Sequence, residues 1–386
     1  MSQVVAPGAT IGIVGGGQLG RMLSFEGHRL GYRVAVLTGG NKDTPGGRVA
    51  DVEVAAGYDD GLAVQRFVGL SDVITWEFEN VEVGLLADLA SRANVPVRPG
   101  GSIIAAAQHR GRERRALMAA GAPVAAFREV ATASGLLRAV ADLGPPVIAK
   151  RVRFGYDGRG QVRLVSADQT AARHIIETIG EEGLIVEEVV PFDAEISVVV
   201  ARGVTGEMTH HGVMENVHVS GILDTTVTPP VSVGPDVAAA AVDLAATIAG
   251  HLELVGVLCV EMFVTGDELV VNEIAPRPHN SGHCTIEAAS TSQFGQQLRA
   301  ICGLPLGESS CRPAAMVQIL GDLWDDPSDR GPAWDEAMID PGVYLHLYGK
   351  DEVRPGRKMG HITCIDSSAE RALERAIAAR RRLRRW

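Results

Sequence analysis

The sequence predicts a protein of mixed α/β and α+β class with two or three domains. Near the N-terminus a strand, a glycine turn, a helix and a second strand follow one another within residues 10–37, the pattern of a βαβ unit that opens a doubly wound sheet. Between residues 257 and 275, two runs of alternating apolar residues flank a turn, which predicts a β-hairpin. A chain of 386 residues is long enough for two or three separate cores.

Composition narrows the class of protein further. With 46% hydrophobic and 22% charged residues, the chain has the composition of a soluble globular protein, and its net charge of −11 argues against general nucleic-acid binding. The five cysteines show no CxxC spacing, which favours a reducing, cytoplasmic compartment over a disulfide framework or a zinc site. The N-terminus does not have the pattern of a signal peptide, and no apolar run reaches about eighteen residues, so we expect no membrane span.

The glycine turn of the βαβ unit is the first candidate ligand site. Gly15, Gly17 and Gly20 satisfy the GxGxxG pattern. A dinucleotide site also needs an acid at the end of the second strand to bind the ribose hydroxyls, and Thr38 stands there instead. A nicotinamide cofactor is therefore disfavoured, whereas the helix N-terminus remains suited to a phosphate.

Two acids follow the next predicted strand, which covers residues 72–75. Glu77 and Glu79 lie just beyond it, and ligands of open α/β sheets bind beyond the carboxyl ends of strands. Either acid could contact a substrate, or could equally stabilise the first turn of a helix. The sequence PVRPGG at residues 96–101 then predicts a domain boundary.

The next segment predicts a phosphate-binding hairpin. After a helix over 103–120, a strand over 145–152 carries an inward Lys150, and a glycine loop over 155–161 leads into a strand over 162–165. The N–H groups of such a loop can fold over phosphates that the lysine neutralises, although a plain glycine hairpin remains the alternative. A Walker loop, which needs GxxxxGK[ST] before a helix, does not occur.

Further elements lead up to the second hairpin. A helix over 171–179 precedes a strand over 184–188 that ends in Glu187 and Glu188. This strand could offer backbone groups to an adenine edge, or could simply expose its acids to solvent. Strands over 195–200 and 212–218 and an amphipathic helix over 237–252 follow.

The second hairpin carries one carboxylate on each strand, Glu261 and Glu273. Burying two acids is costly unless a cation compensates them, so the pair predicts a shared divalent ion, most simply Mg²⁺ bridging the phosphates of a nucleotide. If only Gly266 and Asp267 turn the chain, Glu261 faces Asn272; a longer loop or a single bulge would place the two carboxylates opposite each other. A surface hairpin with solvated acids remains the alternative.

Polar residues follow this hairpin, and cations crowd a later turn. The density of Arg277, His279 and Asn280 after a buried strand suits an anionic ligand better than a core. A strand over 344–348 is followed by a tight turn whose cations repel one another unless an anion relieves them, which favours a phosphate-bearing substrate over a solvated hairpin tip. The cations of this turn are Lys350, Arg354, Arg357 and Lys358.

Four motifs occur in order along the chain: GGGQLGRM at 15–22, GYDGRGQ at 155–161, NEIAPRPHNSGH at 272–283 and EVRPGRKMGH at 352–361. With these motifs the chain closely resembles the N5-carboxyaminoimidazole ribonucleotide synthetase family, ATP-grasp enzymes of purine biosynthesis. The resemblance, over residues 11–361, implies a homodimer built from an ATP-grasp fold. Its implied parts are a doubly wound pre-ATP-grasp domain over 1–101, a two-lobed ATP-grasp domain over 102–302 and a small C-terminal β domain with a terminal helix over 303–386.

The resemblance also implies a reaction and the residues that perform it. ATP, with Mg²⁺, phosphorylates bicarbonate to carboxyphosphate, and the exocyclic amine of 5-aminoimidazole ribonucleotide is carboxylated. Glu261 and Glu273 would hold Mg²⁺, and Arg277, His279 and Asn280 would be catalytic and would position bicarbonate and carboxyphosphate. The implied ATP-binding residues are Arg110, Lys150, Gly155, Tyr156, Asp157, Gly158, Arg159, Gly160, Gln161, Glu187, Glu188, Val189, Val190, Glu195, His218, Asn272 and Glu273. The implied ribonucleotide-binding residues are Glu77, Tyr156, Asp157, Arg159, Lys350, Arg357 and Lys358.

One segment departs from the family pattern. Relatives usually have Gln-Asp-Arg followed four residues later by Lys, whereas this chain has His109 before Arg110 and then Arg114. Arginine keeps the charge of lysine but not its point geometry, so the nucleotide contact expected there is in doubt.

Three other functions fit parts of the sequence. Another ATP-grasp carboxylate–amine ligase would share the clamp and the glutamates but would not be expected to carry the EVRPGRK turn. A nicotinamide-dependent oxidoreductase would require an acid near Thr38 and leaves the pair Glu261 and Glu273 unexplained. A non-catalytic nucleotide-binding regulator would be expected to lack one of the two glutamates or Arg277, and all three are present.

Overall fold

A computed structural model describes residues 4–81, 84–153, 155, 160–324 and 331–384. Within these ranges, every helix is too short or too polar to cross a membrane. The predicted ligand residues Tyr156, Asp157, Gly158 and Arg159 lie outside the described residues.

The N-terminal part is a parallel sheet covered by helices. Its strands lie in the order β3-β2-β1-β4, with β1 at the centre of the described sheet. The predicted βαβ unit is confirmed: both strands have the expected bounds, and they are almost entirely buried because helices cover both faces. The elements are β1 (Thr10–Val14), α1 (Gln18–Arg29), β2 (Arg33–Leu37), β3 (Val52–Val54), α2 (Gly61–Leu70), β4 (Val73–Trp76), α3 (Gly84–Arg92) and α4 (Gly101–Ala107).

The prediction of a single helix over residues 103–120 is wrong. The chain forms two helices, because α4 ends at Ala107 and α5 covers Arg110–Ala119. Between them His109 has an extended backbone, and its Nδ1 accepts a hydrogen bond from the backbone N–H of Gly111 at 3.2 Å. A side chain that caps the N-terminus of a helix starts a new helix there instead of continuing the previous one.

A small antiparallel sheet follows, in the order β5-β8-β6-β7. Apolar residues of α6 and α7 pack on one face of it, and together they form a separate core. The predicted strand carrying Lys150 and the hairpin that closes beside Gly160 are confirmed. The elements are β5 (Phe127–Val130), α6 (Ala133–Leu143), β6 (Val147–Arg151), β7 (Gln161–Leu164), α7 (Gln169–Ile179) and β8 (Leu184–Glu188).

The remaining strands form one long sheet, in the order β13-β12-β9-β10-β11-β14-β16-β15. The predicted boundary between residues 302 and 303 therefore lies within a continuous sheet, since β11 pairs directly with β14. The elements are β9 (Ala194–Arg202), β10 (Met208–Val219), β11 (Ile222–Thr228), α8 (Pro235–His251), β12 (Gly256–Thr265), β13 (Glu268–Ala275), α9 (Thr285–Ala288), α10 (Gln293–Cys302), β14 (Ala314–Leu320), α11 (Trp334–Ala337), β15 (Val343–Leu347), β16 (Lys358–Ile365) and α12 (Ala369–Arg382).

A β-bulge sets the register of the hairpin formed by β12 and β13. The turn contains only two residues, Gly266 and Asp267, and Met262 pairs with Val271. Glu261 nevertheless pairs with Glu273, because Asn272 is an extra residue on β13. An extra residue shifts the alternation of side chains by one, so the two carboxylates lie opposite each other, as the bulged alternative predicted.

Candidate active site

A cavity of about 470 Å³ lies where the N-terminal sheet, the hairpin and the cationic turn meet. It is bordered by residues that are far apart in the sequence, from Gly17 to Lys358. Ligand sites of α/β proteins occupy such clefts between domains. The predicted site residues on its walls are Glu77, Arg110, Gly155, Glu273, Arg277, His279, Asn280, Lys350, Arg357 and Lys358.

Arg277 is held in the cavity by Glu79. The guanidinium makes a two-point ion pair with the carboxylate, in which Nη2 lies 2.9 Å from Oε1 and Nε bonds Oε2. The side chains of Arg277 and Glu79 are only 15% and 18% exposed. Burial raises the pKa of Glu79, but the interactions with Arg277 outweigh burial and hold that pKa below its usual value. A further N–H donates to the Pro278 carbonyl oxygen at 3.1 Å. Of the five guanidinium N–H groups, two have no bond to the described residues and can bind an anion.

Glu77 occupies the helix N-terminus that the sequence offered to a phosphate. Its carboxylate accepts hydrogen bonds from the backbone N–H groups of Gly17 and of Gly20, the latter at 2.7 Å. Burial raises the pKa of Glu77, although both N–H groups oppose that shift. A phosphate at the start of α1 would have to compete with this carboxylate for both of these donors. Glu77 still borders the cavity, so its contact with the ribonucleotide stays a prediction.

The cationic turn faces the same cavity. Lys350, Arg354, Arg357 and Lys358 all border it. Lys350 donates to the Lys358 carbonyl oxygen at 2.7 Å, and its Nζ lies 5.4 Å from the centre of the Tyr348 ring. These contacts hold the amine of Lys350 at the wall of the cavity. The combined charge of the four residues favours a phosphate there.

The two hairpin carboxylates form a candidate metal site. His279 Nε2 lies 3.0 Å from Glu261 Oε1, and Arg110 Nη1 lies 3.4 Å from Glu273 Oε2. Burial raises the pKa of Glu261, but the imidazole outweighs it and holds that pKa low, so the carboxylate is ionised. Mg²⁺ takes oxygen ligands, commonly one or two carboxylates together with phosphates, and this pair fits that requirement. Among the described residues, no group of three or more His, Cys, Asp or Glu side chains forms a metal site by itself.

His279 has protein partners on both ring nitrogens. Besides the contact with Glu261, its Nδ1 lies 3.0 Å from Ser281 Oγ. Its predicted contact with bicarbonate therefore requires one of these bonds to be exchanged, whereas the observed contacts position the Glu261 carboxylate.

The segment that departs from the family pattern lies in a buried charged network. Arg114 is 1% exposed and bonds Glu187 through Nη2 at 2.7 Å and through Nε at 2.8 Å. Lys150 bonds the other oxygen of Glu187 at 2.6 Å, and Glu113 lies 3.3 Å from Arg114. Burial raises the pKa of Glu187, but Lys150 and Arg114 together outweigh burial and bring it to about 2. Arg114 thus connects α5 to β8, so it has a structural partner in the place of the doubtful nucleotide contact.

Several predicted ATP-binding residues lie away from the cavity within the described part of the chain. Glu195 and His218 form their own pair at 2.6 Å, and Glu188 accepts the backbone N–H of Ala126 at 2.8 Å. The predicted residues that do not border the cavity are Lys150, Gly160, Gln161, Glu187, Glu188, Val189, Val190, Glu195, His218, Glu261 and Asn272. Glu261 was predicted as a metal ligand and the others as nucleotide contacts, and these roles stay predictions.

Among the charged residues of the wall, Glu113 was not singled out by the sequence analysis. Glu113 borders the cavity, and its Oε1 accepts the backbone N–H of Ile274 at 2.8 Å, which connects α5 to the hairpin. Burial raises the pKa of Glu113 to about 7. Arg354 was counted with the cationic turn but was not assigned to a ligand. An acid within the arginine-rich start of α5 was the available signal for Glu113.

Three family models match consecutive parts of the chain. A ribonucleotide synthetase preATP-grasp domain matches residues 8–108, an ATP-grasp domain matches residues 115–294, and a phosphoribosylaminoimidazole carboxylase C-terminal domain matches residues 314–375. The first model matches the N-terminal sheet, the second matches the small sheet with strands β9 to β13, and the third matches strands β14 to β16 of the same long sheet.

Similar proteins cover nearly the whole chain. The N5-carboxyaminoimidazole ribonucleotide synthase of Bacillus subtilis is 42% identical over 94% of this chain and 92% of its own length. A crystal structure of an ADP complex of N5-carboxyaminoimidazole ribonucleotide synthetase is 42% identical with a TM-score of 0.89, covering 98% of both chains. The Aspergillus clavatus enzyme in complex with ADP and 5-aminoimidazole ribonucleotide is 31% identical with a TM-score of 0.87, covering 97% of this chain and 99% of its own.

Proposed function

The chain belongs to the N5-carboxyaminoimidazole ribonucleotide synthase family, and we propose that the cavity described above carries out the reaction of that family. The protein is an ATP-dependent ligase that converts 5-aminoimidazole ribonucleotide and bicarbonate to N5-carboxyaminoimidazole ribonucleotide, with ADP and phosphate as the other products. One observation supports this assignment above the others: a single cavity is bordered by Glu273, by the fixed Arg277 and by the cationic turn. These groups suit, in that order, the Mg²⁺ ion that accompanies a nucleotide, a small oxyanion and a sugar phosphate.

The residues of the cavity divide into three roles. Lys350, Arg357 and Lys358 bind the 5′-phosphate of the ribonucleotide and so place its amine toward the centre of the cavity. Arg277, whose orientation Glu79 fixes, binds bicarbonate and then carboxyphosphate with its two remaining N–H groups. Because the ion pair is already formed before the reaction, stabilising the negative charge that develops requires little reorganisation.

Glu261 and Glu273 are the residues that would hold Mg²⁺. When bound, the ion neutralises the phosphates of ATP and offsets the charge on the transferred phosphoryl group. Arg110 already contacts Glu273, and His279 already contacts Glu261, so both carboxylates are oriented by neighbouring basic side chains.

A nicotinamide-dependent reaction is disfavoured by the same structure. The backbone N–H groups of Gly17 and Gly20 bind the Glu77 carboxylate. In a dinucleotide-binding domain, this helix N-terminus binds the pyrophosphate instead.

We also propose that the protein is cytoplasmic and forms a homodimer, as the family resemblance implies. Light scattering coupled to size-exclusion chromatography tests the assembly. A mass near twice 40.7 kDa is expected, and a mass near 40.7 kDa at all concentrations would contradict it.

The decisive experiment measures ADP release and carboxylated product with ATP, Mg²⁺ and labelled bicarbonate, with and without 5-aminoimidazole ribonucleotide. Adding the ribonucleotide is expected to increase ADP release and to yield one labelled carbamate for each ADP. ADP release with no carboxylated ribonucleotide would contradict the proposed function.

A further inference from the structure

Gln318 lies on β14, outside every motif that the sequence analysis singled out, and is 1% exposed. We propose that Gln318 is a positioning residue: it fixes the side-chain amide of Asn280 so that the Asn280 oxygen accepts a hydrogen bond from the exocyclic amine of the ribonucleotide. This inference rests on the proposed function.

The orientation of the Gln318 amide is set by a backbone carbonyl. Its Nε2 lies 2.5 Å from the carbonyl oxygen of Gly360 and 3.3 Å from the hydroxyl of Tyr348. A carbonyl oxygen can only accept, so the NH₂ end of Gln318 must face Gly360. The oxygen end, Oε1, therefore faces Asn280.

The orientation of Gln318 in turn sets that of Asn280. The distance from Asn280 Nδ2 to Gln318 Oε1 is 2.9 Å. Because Oε1 can only accept, the NH₂ end of Asn280 must donate to it. Asn280 Oδ1 is then the acceptor that is left, and it is buried without a hydrogen-bond partner in the part of the chain that the structure describes.

A buried acceptor without a partner is unfavourable, so a ligand that supplies a donor gains by binding there. Asn280 borders the cavity together with Arg277 and Lys350. The groups that those cations bind, a carboxyphosphate and a sugar phosphate, have mainly acceptor oxygens. The exocyclic amine of the ribonucleotide carries two N–H donors and has to reach the carboxyl group bound at Arg277, so a fixed acceptor beside Arg277 would orient it for attack.

The surroundings of Gln318 keep this arrangement rigid. β14 lies between β11 and β16, so its backbone is paired on both sides. The Tyr348 ring that contacts Gln318 also lies under Lys350. One glutamine thus supports residues at both the amine end and the phosphate end of the ribonucleotide.

The test compares Gln318→Met with a matched control, Gln296→Met. Gln296 is equally buried, and its amide also bonds backbone groups, those of Gly307, but it does not border the cavity. For Gln318→Met we expect kcat/KM for the ribonucleotide to fall roughly 10- to 50-fold, which corresponds to the loss of one or two hydrogen bonds. The KM for ATP should change less than about twofold, and more ADP should form per carboxylated product. Gln296→Met should change none of these values more than about twofold.

A double-mutant cycle separates positioning from a general structural role. Adding Gln318→Met to Asn280→Ala should lower kcat/KM for the ribonucleotide by less than about twofold, because the residue on which Gln318 acts is already gone. If the kcat/KM losses of the two single variants multiply in the double variant, the inference is overturned. Equal effects of Gln318→Met on the kinetic constants for ATP and for the ribonucleotide would also overturn it. If Gln318→Met does not fold, Asn280→Asp, which replaces the donor by an oxygen, should show the same selective loss; full activity of that variant would also overturn it. A wild-type chain that does not carboxylate the ribonucleotide would instead reject the proposed function.

Discussion

At the scale of single residues, the site is built from charges that are oriented before a ligand arrives. Lys350 contacts the Lys358 carbonyl oxygen and the Tyr348 ring. We expect Lys350→Ala to raise the KM for 5-aminoimidazole ribonucleotide at least roughly tenfold, since a charge-assisted hydrogen bond to phosphate is worth about 1.5–3 kcal/mol. The KM for ATP should stay within about twofold. Steady-state kinetics with each substrate varied in turn provides the measurement.

Lys42→Ala is the control for this change, because Lys42 is exposed and does not border the cavity. If Lys350→Ala raised both Michaelis constants equally, Lys350 would not belong to the ribonucleotide site.

Glu273 gives the second prediction at this scale. Glu273→Gln removes the charge of one proposed Mg²⁺ ligand while keeping its shape, so we expect ATP turnover to fall below detection and the fold to stay intact. Phosphate release and circular dichroism measure the two effects. Glu268→Gln, which changes an exposed acid on the same strand, is the control. Phosphate release near the normal rate from Glu273→Gln would count against the metal assignment.

At the scale of elements, Glu187 joins two strands and a helix. It bonds Lys150 on β6 and Arg114 on α5 while lying on β8 itself. An unfolded glutamate titrates near ~4.3. In the folded chain, burial raises the pKa of Glu187, but Lys150 and Arg114 together outweigh burial and bring that pKa to about 2. A carboxyl whose pKa folding lowers stabilises the folded state above its unfolded pKa, and this contribution is lost as the pH falls toward the folded pKa.

We therefore expect Glu187→Gln to lower the free energy of unfolding by about 3 kcal/mol near pH 7. The difference should shrink as the pH falls from about 4.5 to about 2, and urea denaturation across that range measures it. Glu188→Gln, on the exposed side of the same strand, is the control and should change stability by less than about 1 kcal/mol. A difference for Glu187→Gln that does not depend on pH would show that its ionisation is not the cause.

At the scale of the whole molecule, one sheet joins the central part to the C-terminal part. β11 pairs with β14 from Thr225 to Thr228. Arg380 on α12 also bonds the carboxylate of Asp224, a residue of β11, at 2.5 Å. A chain ending at residue 302 would expose the edge of β11 and the apolar residues that β14 covers. Unpaired edges and exposed cores promote association between chains.

We expect that truncated chain to aggregate, in contrast to the full-length chain under the same conditions. Light scattering and circular dichroism measure the outcome. A truncated chain that stays soluble, with native circular dichroism, would show that residues 1–302 fold without the C-terminal part, as the domain boundary predicted from the sequence implies.

Sequence and structure agree where the information is local. Alternating apolar residues and glycine turns predicted β1, β2 and the β12–β13 hairpin, because strand periodicity and turn chemistry depend on neighbouring residues. The prediction of one helix over residues 103–120 was wrong because periodicity alone does not reveal that His109 caps a new helix. The motifs identified the chemistry of Arg277 and of the cationic turn, but not their partners.

By itself, the sequence determined the family, many of the strands and the residue types of the site. The tertiary structure decided which of those residues meet. The bulge at Asn272 places Glu261 opposite Glu273, Glu79 reaches Arg277 across 198 positions, and Arg114 turns into the interior toward Glu187. These outcomes depend on the register between strands and on the packing of distant elements, and neither is encoded in the spacing of residues within one segment.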